Sequence, residues 1–188
     1  MTGEMAELTQ VDLEALVRRA RAGDHGALGE LYDRFRDRVA RFATGRLGDP
    51  EKAEDVTSET FEGVLRGLPA YRPGTDFEAW LFTIAHRRVA DHFRWRARRR
   101  EVELDEAWGA ATAGGPEDAV LAAERRAEVA GAFRRLRPDQ QEVLALRVLA
   151  GLTAAQVAKV VGKSEGAVRV AQHRALLDLR ARMGVTVR

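Results

Sequence analysis

An all-α fold of two small helical domains is predicted by three observations. Apolar residues recur at three- and four-residue spacings through most of the chain, residues able to cap helices stand at the starts of those runs, and a glycine-containing acidic stretch interrupts them between residues 101 and 119. Strand-like alternation is almost absent. With 188 residues the chain can bury one sizeable core or two small ones, and 45% hydrophobic with 32% charged residues suits a soluble globular protein.

The first helix is expected from a start at Thr9 with Asp12, with Leu13, Leu16, Val17 and Ala20 as its inward stripe. Leu28, Leu31, Phe35, Val39 and Phe42 mark the second. Asp49 before Pro50 starts the third, because the aspartate can accept from first-turn amides and proline loses nothing at that position. Val56, Phe61, Val64, Leu65 and Leu68 follow. Thr75 with Glu78 is expected to open the fourth, whose stripe is Phe77, Leu81, Ile84, Ala85 and Val89. Four helices to about residue 98 then share one core. Residues 101–119, with Gly109, Gly114, Gly115 and Pro116, offer too little apolar surface to offset the entropy of ordering and read as a flexible linker, with Trp108 as a packing anchor. Helical periodicity resumes at Ala119. The expected organisation is a domain over 1–100, a linker over 101–119 and a second domain over 120–188.

Charge is unevenly placed along a chain whose formal net charge is only +2. Residues 84–100 (IAHRRVADHFRWRARRR) hold seven arginines against Asp91, with Phe93 and Trp95 among them. Residues 49–62 hold six acids against Lys52, residues 101–119 hold six acids and no base, and from Arg134 onward eleven basic side chains face four acidic ones. Blocks of this kind point to nucleic acid or to regulated contacts between segments. No apolar run reaches the ~18 residues of a membrane span, and the N-terminus has neither a basic start nor an apolar core, so a cytosolic protein is expected. The absence of cysteine excludes disulfides and thiolate metal sites.

The sharpest local pattern lies in LTAAQVAKVVGKSEGAVRVAQHRALLDLR. A short helix capped by Thr153 with Gln156 runs to Val161, Gly162 supplies a left-handed stop, and Ser164 caps a longer helix. This is the geometry of a helix-turn-helix, whose second helix enters the major groove. Val168, Ala171, Ala175, Leu176 and Leu179 face inward, which leaves Glu165, Arg169, Val170, His173 and Arg174 outside. Arg169 suits a guanine edge, Glu165 a cytosine amine and Val170 a thymine methyl. An ordinary αα-hairpin with a basic solvated face would share the pattern. The arginine segment is a different kind of reader, because aromatic rings among cations suit unpaired strand, where bases stack and phosphates need neutralising. One head for melted strand and one for duplex suits a promoter-opening factor.

On these residues the chain resembles the bacterial RNA polymerase sigma factors of the extracytoplasmic function (ECF) group, over roughly residues 10–183. AEDVTSETF at 53–61 is similar to the family's core-binding helix, FEAWLFTIAHRRVADHFR at 77–94 to its promoter-melting helix, and residues 136–176 to its second DNA-binding domain. The resemblance implies that Asp55, Glu59 and Phe61 lie in the helix that docks on the β′ clamp helices. It implies that the loop Pro69 to Asp76 holds a base flipped from the −10 element, and that Arg87, Arg88, Asp91 and Arg94 face that element and the melted strand; of the aromatic residues, Trp95 is the best stacking candidate. It also implies that Glu165, Arg169, Val170, His173 and Arg174 face the −35 duplex, that the acidic linker passes towards the RNA exit channel, and that the partners are core RNA polymerase (β′ clamp helices and β flap), promoter DNA and an anti-sigma regulator. No cofactor, metal or catalysis is implied. Arg87 stands where the family frequently carries Asn, Ser58 replaces a common Gln, and Val170, Ala171 and Gln172 replace a more typical Ser-Arg-Leu, so the promoter sequence does not transfer.

Two rival classes follow from the residues themselves. Asp55, Glu59 and Glu62 share a helical face and suit a metal, which a nuclease would use, although no Gly-rich phosphate loop or nucleophile elbow accompanies them. A free-standing repressor would use the helix-turn-helix and dimerise through the N-terminal helices. Trp80 and Phe82 read as core residues, and His86, His92 and His173 as ordinary surface residues.

Overall fold

The computed structural model describes residues 2–100 and 117–184, and every regular element among them is helical. Helices α1 (Thr2–Arg21), α2 (His25–Leu47), α3 (Pro50–Gly67) and α4 (Phe77–Arg100) form the first bundle, with a 3₁₀ turn over Leu68–Ala70 between the last two. Helix α5 (Glu117–Arg134) leads to α6 (Pro138–Leu144), which runs on as a π turn over Ala145–Leu149, and α7 (Ala154–Val161) and α8 (Glu165–Arg182) complete the second domain. Of the expected linker 101–119, residues 101–116, and with them Trp108, lie outside the described residues, while residues 117–119 are not linker but the first turn of α5.

Local chemistry explains most of the boundaries. Asp49 Oδ1 accepts from the amides of Glu51 and Lys52 at 3.1 and 3.2 Å, with Pro50 in the first turn. Thr153 and Gln156 form the expected reciprocal capping box, Gly162 ends α7 at φ 66°, and Ser164 accepts from Ala167 N to start α8. Two expected starts are displaced. Helix α1 begins at Thr2, so Thr9 lies inside it. Asp76 rather than Thr75 caps α4, accepting from Ala79 N at 3.1 Å, while the Thr75 hydroxyl donates to the Arg72 carbonyl. Replacing Asp49 by alanine is expected to cost about 1 kcal/mol, which thermal unfolding should report as a fall of roughly 2–4 °C.

The first bundle closes on Leu13, Leu16, Leu31, Phe35, Val39, Phe42, Leu81, Phe82 and Val89, all buried. Phe42 and Phe82 meet edge to face at 6.0 Å, and Phe35 and Phe77 pack at 5.7 Å. This core does not stop at the domain boundary. Val143, Leu146, Leu152, Val157, Val160 and Val168 of the second domain belong to the same continuous cluster, while Leu136, Leu144 and Ala175 form a small separate one. The π turn packs on α2, and α7 packs on α4.

Candidate nucleic-acid interface

Three surfaces carry the residues expected to act. On α3, Asp55 and Glu59 are exposed, whereas Phe61 is buried at 8% exposure and meets Tyr32 edge to face at 4.7 Å. The apolar side chains that reach solvent beside it are Tyr32 and Leu65, at 39% and 54% exposure. Phe61 therefore shapes this face from beneath rather than presenting itself. Glu59 lies 3.9 Å from Arg88, Glu62 pairs with Arg66, and Arg36 ties Tyr32 to Glu54. Among the described residues no three histidine or acidic side chains converge to hold a metal ion, Asp55, Glu59 and Glu62 included.

On α4, Arg87, Asp91, Arg94 and Trp95 are exposed and Arg88 half-buried, so the structure brings the predicted set onto one helix end. Arg94 donates to Asp91, the Arg99 guanidinium lies 4.5 Å from the centre of the Trp95 ring, and the His92 ring is tilted against that of Trp95 at 6.0 Å. Burial, with Lys52 and Arg96 nearby, holds the His92 imidazole below its ordinary value. Phe93 is occupied: the Arg46 guanidinium packs over its ring at 5.5 Å where α2 and α4 approach α6. The loop before α4 is pinned by an aromatic triangle. Tyr71, Phe77 and Trp80 stand 5.0–5.6 Å apart, and the Tyr71 hydroxyl donates to the Thr75 carbonyl. A recess lies between this loop and α1, lined by Leu13, Val17, Arg18, Arg21, Tyr71 and Pro73.

On α8, Glu165, Arg169, Val170, His173 and Arg174 are all exposed, as expected, while Val168 and Ala175 are buried. Glu165 holds the Arg169 guanidinium at 2.5 Å, and Arg147 reaches Gln172 at 2.8 Å, so the groove between α7 and α8 is lined by alternating charge. Val170 is half exposed, available for apolar contact with a base edge.

The Sigma-70 region 2 family matches residues 31–99, and the Sigma-70 region 4 family matches residues 132–181, so the two expected reading heads fall on two distinct family regions. The ECF RNA polymerase sigma factor SigD of Mycobacterium tuberculosis is 39% identical over 176 residues, covering 89% of this chain and 82% of its own. The chain belongs to the ECF sigma factors. ECF RNA polymerase sigma factor BldN of Streptomyces coelicolor is 46% identical over 166 residues, covering 87% of this chain, and this sigma factor spans 63% of BldN's length. Among solved structures, CnrH in complex with the cytosolic domain of CnrY superposes with TM-score 0.71 at 25% identity over 93% of this chain and 98% of its own. RpoE of Bartonella quintana, solved with the anti-sigma factor NepR, shares the fold at TM-score 0.68 and 21% identity over 85% of this chain and 98% of its own.

Sequence reasoning missed a group of residues that joins the two domains of this sigma factor. His86, read as an ordinary surface residue, is half-buried and pairs with Glu142 of α6. Burial alone would raise the Glu142 carboxyl, but His86, Arg46 and Lys163 outweigh it and hold the group below its ordinary value. Such a carboxylate adds stability that is complete above the unfolded value of about 4.3 and is lost as pH falls through the lowered folded value. Glu142→Gln should therefore remove part of the stability lost on acidification between about pH 5 and 3, which denaturation midpoints across that range would show. The other residues missed in this role include Arg38, Arg41, Gly45, Arg46, Asp76, Gln141, Leu149, Gln156 and Lys159. The one readable signal among them was Gly45, a glycine in the interior of an amphipathic helix, where it is disfavoured unless something needs the space.

No helix among the described residues is long and apolar enough to cross a membrane.

Proposed function

We propose that the chain binds core RNA polymerase and directs promoter-specific initiation, reading the −10 and −35 elements and helping to melt the DNA. The observation that supports this most is the pairing of two chemically different readers in the family's order: an arginine helix end carrying an exposed indole in region 2, and an exposed Glu165–Arg174 face in region 4. Asp55 and Glu59, with Tyr32 and Leu65 beside them and Phe61 beneath, form the face for the β′ clamp helices. Arg87, Arg88, Asp91 and Arg94 meet the −10 element and the melted strand, with Trp95 stacking a base, and the recess under the Pro69–Asp76 loop takes the flipped base. Extruding a base costs a few kcal/mol, which pocket contacts recover preferentially for the right one. Glu165, Arg169, Val170, His173 and Arg174 read the −35 duplex, and the second domain meets the β flap.

The role is one of binding and strand separation, without catalysis by the chain or a cofactor, and it is exercised where the polymerase works, in the cytoplasm. An anti-sigma protein as regulator fits the structural neighbour RpoE, solved with the anti-sigma factor NepR. The test is co-elution of the purified chain with bacterial core polymerase, followed by transcription from fragmented genomic DNA of its source. Co-elution with discrete start sites is expected. A stable dimer that binds a palindromic duplex tightly, with neither co-elution nor start sites on a core shown competent with another sigma factor, would replace this reading with a free-standing repressor.

A further inference from the structure

One side chain of the π turn reaches into the second reader. Arg147, half-buried, donates from Nε to Gln172 Oε1 at 2.8 Å and from a terminal nitrogen to the carbonyl of Leu152, the buried residue just before the Thr153 cap of α7. The Leu152 amide is in turn bonded to the Leu146 carbonyl at 3.0 Å. One guanidinium therefore ties the π turn, the approach to α7 and the middle of α8 together. Gln172, also half-buried, lines the groove between α7 and α8 with Ala155, Glu165 and Arg169.

The bond decides which end of the Gln172 amide is free. A guanidinium can only donate, so the amide turns its oxygen to Arg147 and keeps its NH2 group for the groove. Glutamine reads adenine by using oxygen and nitrogen together, and here the oxygen is engaged. What remains is a pair of donors, which suits a phosphate oxygen, a group that only accepts. Position agrees with this chemistry. At about 100° per residue Gln172 falls ~20° to one side of Glu165, next to the buried Val168 and Ala175, whereas Arg169, His173 and Val170 fall to the other side. The flank that carries Gln172 is the one turned towards α7. In a helix-turn-helix the first helix crosses the DNA backbone and the second enters the groove, so phosphates pass where the two helices meet. Glu165 does not oppose an anion there on its own, because it is paired with Arg169.

We infer that Gln172 is a further contact to the −35 duplex, its amide donating to one backbone phosphate, and that Arg147 is the positioning residue that aims it. The inference rests on α8 being the −35 reader. It gives this flank of α8 a grip independent of sequence and leaves the choice of base to the outward face.

The test uses the full chain alone, with a duplex that it selects from a random-sequence pool at low salt. Gln172→Leu removes the donors and should weaken binding about five- to tenfold. The loss should be equal on the selected duplex and on duplexes with single base-pair changes, and the salt dependence should keep its slope, because a neutral donor displaces no counterion. Gln172→Glu keeps an acceptor for Arg147, so its thermal unfolding should stay within about 2 °C of the parent, yet its affinity should fall by at least about tenfold as a carboxylate meets the phosphate. Methylphosphonate replacement of each phosphate in turn should find one position that weakens the parent chain and has no further effect on Gln172→Leu. Arg147→Met should lose sensitivity at that same position. A loss in Gln172→Leu that depends on base pair, undiminished binding by Gln172→Glu, or a chain that selects no duplex overturns the contact, and sensitivity retained in Arg147→Met overturns the positioning role. Absence of transcription with core polymerase would instead defeat the sigma-factor reading, and the duplex measurements would still decide this one.

Discussion

Replacement of Phe82 by alanine is expected to lower the free energy of unfolding by about 3–5 kcal/mol, among the largest effects available to one substitution in this fold. The ring is completely buried, meets Phe42 edge to face at 6.0 Å, and forms one of two aromatic walls around the Arg38 guanidinium. Truncation removes buried apolar surface, leaves a cavity in a packed core, and strips one face from a half-buried cation whose partner Glu78 is also only 19% exposed. Against a total stability of about 5–15 kcal/mol, the loss is a large fraction. Denaturant unfolding followed by circular dichroism measures it directly. A loss below about 1 kcal/mol would mean that the core across α2 and α4 is wrongly described, whereas Phe93→Ala, at 36% exposure, is expected to fall in that lower range.

The second large effect separates the two readers. Arg174→Ala is expected to weaken binding to a −35 duplex by about 1–3 kcal/mol, five- to roughly 150-fold, the range of a lost base-edge or phosphate contact by arginine. Trp95→Ala should leave that duplex affinity unchanged, because the indole is on α4, and should instead impair strand opening by a similar amount, the value of one base stacked on an aromatic ring, about 1–3 kcal/mol. Electrophoretic binding to the −35 fragment and fluorescence of a 2-aminopurine placed in the −10 element report the two steps separately. Equal loss of both steps in both variants would refute the division of labour. Affinity for the duplex should also fall steeply with added salt, since the outward face of α8 and its flanks are rich in cations.

Helices with strong three- and four-residue periodicity were legible from sequence because their apolar stripes answer a local rule. Of the stripe Leu28, Leu31, Phe35, Val39 and Phe42, all but the partly buried Leu28 are buried, and the caps at Asp49, Thr153 and Ser164 stand where their side chains can reach the first-turn amides. The exposed face of α8 followed from the same periodicity. Thr75 misled because two neighbouring residues can each cap, and which one does depends on where the preceding loop sends its hydroxyl. Phe61 was legible as part of the inward stripe and is buried there with Tyr32 of α2 packed on it edge to face, whereas Leu65 of the same expected stripe is exposed. The domain contact was invisible for a related reason: Arg38, Glu142 and Lys159 are ordinary charged residues until distant segments bring them together, and sequence separations of 56 to 112 carry no periodic signature.

The π turn gives the second domain a tolerance of length that substitution does not reveal. There the Ala150 amide bonds to the Ala145 carbonyl and the Leu152 amide to the Leu146 carbonyl, so the chain accommodates more residues in that turn than an α-helix would. Val148, at 61% exposure, is where the surplus emerges into solvent, while Leu146 and Leu152 stay inside. Exchange of Val148 for a polar residue leaves this phase untouched. Deleting it removes the surplus, so the turn can close on ordinary i to i−4 bonds with its two flanks where they stand.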